Sequence, residues 1–122
     1  MDVSGMSELE KKFVLSLKQY VESPLDDERS NLFIYYCRLL GSLSENSGER
    51  REEKLRLVIS SLIEELDKAP DGEVSETLYK YVFRDFLESY SEEAVVREVI
   101  RGFLDREELG KLPLRIALGR YR

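Results

Sequence analysis

"EKLRLVISSLIEEL", residues 53–66, decides the fold class. Leu55, Val58, Ile59, Leu62, Ile63 and Leu66 recur three or four residues apart, which places all six on one stripe of an α-helix. A half-buried strand would alternate apolar and polar residues, and this stretch does not. The charged residues fall between the apolar ones, so the pattern predicts an amphipathic helix over about 49–68 with its stripe in a core.

Working toward the N-terminus, "GSLSENSG", residues 41–48, is a break rich in cappers and glycine. Before it lies "LFIYYCRLL", residues 32–40, apolar on nearly every side. That composition predicts a second helix over about 25–43, contacted on several sides and central to the fold. Cys37 sits within it and reads as a small buried hydrophobe. Pro24 suits the first position of this helix, with Asp26, Asp27 and Glu28 near its positive end. The first helix should start at Ser7, because "SELE" is a capping box in which Ser7 caps and Glu10 reaches back. Leu9, Phe13, Val14, Leu17, Tyr20 and Val21 follow at helical spacing. Residues 1–6 have no such pattern and are expected to be disordered.

Toward the C-terminus, "APDG" ends the third helix. A fourth is predicted over about 74–90, with Leu78, Tyr81, Val82, Phe86 and Leu87 facing inward. Ser89 or Ser91 would cap a fifth over about 92–104, buried through Val95, Val96, Val99, Ile100 and Phe103. "DREE", residues 105–108, reads as the opening of a turn closed by Gly110. No strand pair or Asn-Gly hairpin turn appears. The expectation is an all-α chain, one helical domain over 1–122: an antiparallel bundle of about five helices ending in a short C-terminal helix or an extended tail.

The bulk numbers agree. The chain has 122 residues, 42% apolar and 36% charged, which is enough apolar content to build a core without disulfides. No apolar run approaches the ~20 residues of a membrane span, and the start does not resemble a signal peptide. With its single cysteine, the chain reads as a cytoplasmic protein. The scarcity of amides beside abundant Glu, Lys and Arg leans toward a thermophilic source.

Several chemistries lack their residues. The chain contains no histidine and one cysteine, which excludes Ser-His-Asp and Cys-His nucleophiles, a structural zinc site and a helical Glu-x-x-His di-iron site. No glycine cluster forms a phosphate loop or dinucleotide fingerprint. The pairs Asp26/Asp27, Glu52/Glu53, Glu64/Glu65 and Glu92/Glu93 are sequence neighbours, and helical neighbours point away from each other. "DKAPDGEVSETL", residues 67–78, resembles a calcium-binding EF-hand loop at Asp67, Asp71, Gly72, Val74 and Ser75. It departs from one at Ala69, Pro70 and Leu78, the last of which stands where the bidentate Glu is needed. A helix–helix connection is the reading we adopt. No cofactor, no metal and no catalytic residue is expected.

Charge is distributed unevenly. Residues 71–93 hold seven acidic and two basic side chains, a net of −5, whereas residues 94–122 hold four acidic and seven basic, a net of +3. After Glu108 no carboxylate side chain occurs. Arg50, Arg51 and Lys54 stand among glutamates and read as solvated ion pairs at helical spacing. Arg97 and Arg101, one turn apart, share a helix face. The last segment, "GKLPLRIALGRYR", has two readings. Pro113 can open a helix with Leu114, Ala117 and Leu118 on one side, or Leu112, Leu114, Ile116 and Leu118 can alternate along a strand. Either reading requires those side chains to be packed, on the chain's own helices or in a partner's groove.

The residues proposed for partner contact are therefore Arg97, Arg101, Lys111, Leu114, Arg115, Leu118, Arg120, Tyr121 and Arg122. The functional expectation is a non-catalytic helical interaction protein, either a small subunit of a complex or a homo-oligomer. The alternative is a nucleic-acid-associated accessory protein using the basic C-terminal third.

Overall fold

A computed structural model describes residues 7–45, 48–106 and 109–121. Residues 1–6, for which disorder is expected, lie outside the described residues. The chain is all-α: no strand occurs among the described residues, and the helix-bundle class and approximate helix count expected from the sequence hold. Two compact units are present, Met1–Lys54 and Leu55–Arg122.

The first unit is built on a helical hairpin, α1 (Glu8–Glu22) and α2 (Asp26–Ser42). The capping box at Ser7 forms: its Oγ accepts from the Glu10 backbone N–H at 3.3 Å and donates to Glu10 Oε1 at 3.0 Å. Phe13, Leu17 and Tyr20 of α1 are buried, as are Leu32, Tyr36 and Leu39 of α2, and Phe13 lies 6.3 Å from Tyr36 between ring centroids. Pro24 is not the first helical residue. Leu25 donates its N–H back to Ser23 and accepts from Arg29, so the turn is completed before the helix begins at Asp26.

Two further expectations for α2 are corrected. Ile34 is 46% exposed and Cys37 is exposed, so α2 is not covered on all sides. An apolar composition does not create a partner: within its unit α2 packs on α1, and one partner covers one stripe. The helix also runs on through Gly41 and Ser42 into a 3-10 turn over Leu43–Glu45, shortening the expected loop. Residues 46 and 47 lie outside the description.

The helix α3 (Gly48–Lys68) carries the long apolar stripe, and Leu55, Val58, Ile59, Leu62, Ile63 and Leu66 are all completely buried. Lys54 does not form the solvated pair expected of it. It is buried, with Nζ donating to Ser42 Oγ at 3.0 Å.

In the second unit, Gly72 precedes α4 with φ +121°, a backbone state that side chains disfavour. The helix α4 starts as Glu73–Thr77, passes through a π-helical stretch, Leu78–Phe83, and ends as Arg84–Tyr90. There the Arg84 N–H donates to the Tyr79 carbonyl, five residues back. The wider turn adds a residue and rotates the remainder of the helix. Val82 and Phe83 take the inward positions after Leu78, and Tyr81, expected inside, is 55% exposed.

The helix α5 (Ala94–Arg106) buries Val95, Val96, Val99, Ile100 and Phe103 as expected. It starts two residues later than the sequence pattern suggests, and neither Ser89 nor Ser91 caps it. The Glu93 carbonyl accepts from the N–H groups of Val96 and Arg97 instead. Asp105 and Arg106 belong to its last turn, and residues 107 and 108 lie outside the description. The closing segment is helical: α6 (Leu112–Gly119) has Pro113 in its first turn and packs on α5. The strand reading of the tail is thereby set aside.

Candidate functional site: the face and pocket formed by the last helix

An eight-residue helix is far below the length that holds itself together in water. Tertiary contacts supply what α6 lacks. Leu114 and Leu118, one turn apart, are completely buried, each contributing about 1.5–3 kcal/mol of burial. The entry to α6 is clamped: Asp67 Oδ1, at the end of α3, accepts from Gly110 N–H at 2.9 Å and Lys111 N–H at 3.1 Å. Lys111 Nζ in turn donates to the Ala69 carbonyl and stands 3.7 Å from Asp71 Oδ1. The connection that resembled a calcium loop thus sets Asp67 and Asp71 against the entry to the last helix.

The nine residues singled out from the sequence divide by what they touch. Leu114 and Leu118 are packed inside the chain. Lys111 belongs to the clamp. Arg97 is bound locally, its Nε donating to the Ser91 carbonyl at 3.0 Å and its guanidinium lying 3.2 Å from Glu92. Arg101 and Arg120 are exposed, Arg115 and Tyr121 are half-buried, and Arg122 lies outside the description. Leu112 and Ile116 are 64% and 57% exposed. One turn apart, they form an apolar pair on the outer side of α6.

Arg120 and Tyr121 meet residues that sequence reading did not single out. They line one wall of a pocket of about 100 Å³ with Ala117, and the other wall is Tyr79, Phe83, Arg84 and Leu87 from α4. The π-helical turn is what brings this wall together: Tyr79 sits within it, stacked edge-on to Phe83 at 5.6 Å, and Arg84 follows it. Burial, assisted by the charges of Asp67 and Asp71, raises the pKa of Tyr79 above its ordinary value, so its hydroxyl stays a donor at neutral pH. Among the described residues no carboxylate side chain lines the pocket, and neither Arg84 nor Arg120 takes part in an ion pair. Periodicity could not reveal Tyr79 and Arg84 as partners of the tail, because no local pattern encodes a π-turn.

A second, wider cleft lies between α3 and α5, lined by Arg56, Ser60, Glu64, Glu98, Phe103 and Arg106, among others. Its charges are of both signs, with Arg56 3.7 Å from Glu98 and the Arg106 Nε donating to the Gly102 carbonyl.

Among the described residues no cluster of side chains has the make-up of a metal site, and no helix is long and apolar enough to cross a membrane. Comparison of the chain with known families, characterised proteins and solved structures finds no match in any of the three.

Proposed function

We propose that this protein works by binding protein, without chemistry of its own, and that the outer face of α6 is the binding surface. The observation that supports it is the pair Leu112 and Ile116, apolar and more than half exposed, on a helix whose opposite side is fully buried. Large exposed apolar residues one turn apart are the anchors of helix-mediated recognition. Beside them stand Arg115 and Arg120, in a segment with no carboxylate side chain after Glu108.

The occupant we propose is a second copy. The chain itself carries the complementary surface: Tyr81 is 55% exposed on α4, and Asp85 and Glu88 of the same helix are exposed. Exposed Lys80 and Arg84 share that helix, the Lys80 ammonium 5.3 Å from the Tyr81 ring, so the complementarity is apolar against aromatic, with Asp85 and Glu88 as local partners for Arg115 and Arg120. Such a contact joins unlike surfaces, so it builds a ring or a longer chain of subunits unless the rotation closes it at two.

Light scattering over a concentration series tests this. Self-association should be lost in Leu112→Glu and Ile116→Glu, with helicity unchanged because both sites are exposed, and it should weaken as salt rises. An intact chain that stays monomeric at the highest concentration reached would refute the second-copy assignment. The nucleic-acid alternative has less to support it, since Arg97 and Lys111 are engaged within the chain. Titration with labelled DNA and RNA at low salt separates the two readings.

A further inference from the structure

We propose that the pocket between α4 and the end of α6 binds a phosphate monoester carried on a single flat ring. The pocket shares Arg120 with the outer face of α6 but contains neither Leu112 nor Ile116, so substitutions at those two positions separate it from self-association.

Its chemistry is two-part. Its apolar lining is Phe83, Leu87 and Ala117. At about 100 Å³ the pocket is smaller than the enclosed cavity of about 150 Å³ that holds benzene, so it takes at most the face of one flat ring, the remainder of the ligand staying in the open mouth. Its polar lining is cationic and donating. Arg84 of α4 and Arg120, just past the end of α6, are both exposed and neither is held in an ion pair among the described residues. Tyr79 and Tyr121 add hydroxyl donors. Two guanidinium groups with no carboxylate side chain beside them among the described lining residues call for a ligand of two negative charges, which a phosphate monoester supplies near neutral pH. Planar guanidinium forks also match phosphate oxygens two at a time.

Three features oppose an anion here, and the arrangement answers each. Asp67 and Asp71 lie near enough to Tyr79 to raise its pKa. Neither carboxylate lines the pocket: Asp67 is turned to the Gly110 and Lys111 N–H groups, and exposed Asp71 is screened by water and stands 3.7 Å from the Lys111 ammonium. The carbonyl end of α6 points a weak negative pole toward Arg120. A fractional pole is smaller than the two full charges of the guanidinium groups. The cleft between α3 and α5, by contrast, sets the carboxylates of Glu64, Glu98 and Asp105 against the guanidinium groups of Arg56 and Arg106 and selects no anion.

The test is calorimetric titration with phenyl phosphate, alongside phenol, inorganic phosphate and uridine monophosphate. Saturable binding of phenyl phosphate is expected, at least about tenfold tighter than phenol or inorganic phosphate, because each of these satisfies one half of the pocket. Arg84→Gln and Arg120→Gln, both at exposed positions, should each weaken it about tenfold while leaving the circular dichroism unchanged. Uridine monophosphate binding as tightly assigns the group to a nucleotide; weaker binding assigns it to an aryl ester such as phosphotyrosine. Absence of saturable phenyl phosphate binding overturns the proposal. So does an affinity that neither arginine substitution changes. The Leu112→Glu variant should bind phenyl phosphate normally, which keeps this result separate from the oligomeric state.

Discussion

Removing the Asp67 carboxylate should release the last helix while leaving the rest of the chain folded. Oδ1 of Asp67 takes two backbone N–H groups, those of Gly110 and Lys111, at 2.9 and 3.1 Å. Those amides lie at the entry to α6, where no side-chain cap is present and the helix cannot supply partners of its own. A hydrogen bond to a charged acceptor contributes about 1.5–3 kcal/mol, which for two gives an upper figure of about 3–6. Gly110 is exposed and Asp67 half-buried, so water replaces part of the loss. About 2–3 kcal/mol is the magnitude expected for Asp67→Ala. Asp67→Asn keeps a neutral acceptor oxygen in the same place and should cost about half as much, since neutral acceptors are roughly half as strong.

The measurement is hydrogen exchange at single amides, because the effect is local. Gly110, Lys111 and the first amides of α6 should exchange about thirtyfold or more faster in Asp67→Ala, the factor that about 2 kcal/mol implies. The α1–α2 hairpin should keep its protection. Equal exchange at Gly110 and Lys111 in the wild type and the variant would refute the clamp. An Asn variant as damaging as Ala would refute the assignment of the effect to the acceptor oxygen.

Further outcomes rest on the same packing. Leu114→Ala should cost about 2–5 kcal/mol in urea unfolding, whereas Leu112→Ala, two residues away and 64% exposed, should cost less than about 0.5. Ser7→Ala should lose about 0.5–2 kcal/mol from the first unit through the missing cap. Cys37 should react with a maleimide in the native state as fast as in an unfolded control, since its side chain is exposed. Tyr79 sets an alkaline limit. Below about pH 10 its hydroxyl is protonated in both states, while above that the unfolded form ionises first, so stability falls as pH rises. Urea titrations at about pH 9 and about pH 11 should show a smaller loss in Tyr79→Phe than in the wild type.

The pocket and the α6 face were legible to different degrees. The absence of carboxylate side chains after Glu108 and the apolar residues among its cations already singled out the segment. The helical alternative for it is the observed one, down to Pro113 in the first turn and Leu114 and Leu118 on the packed side. Of the cations, Arg97 and Lys111 turned out to be bound within the chain. Nothing in a linear pattern distinguishes such an arginine or lysine from a free one. Tyr79 and Arg84 were invisible because their role depends on a helix more than 30 residues later in the chain.

The fold class was determined by sequence alone, because helical periodicity is a local property: Leu55 to Leu66 repeat with the turn of the helix whatever packs on them. Capping at Ser7 is local for the same reason. Tertiary structure decided which apolar residues found cover. "LFIYYCRLL" is the richest apolar run, yet Ile34 and Cys37 are left outside, while α3 with its glutamates is buried along its whole stripe. It also decided the π-turn that moves Tyr81 outward and brings Tyr79 and Arg84 to the tail. Burial requires a second surface, and where that surface lies is a property of the assembled chain, not of any stretch read by itself.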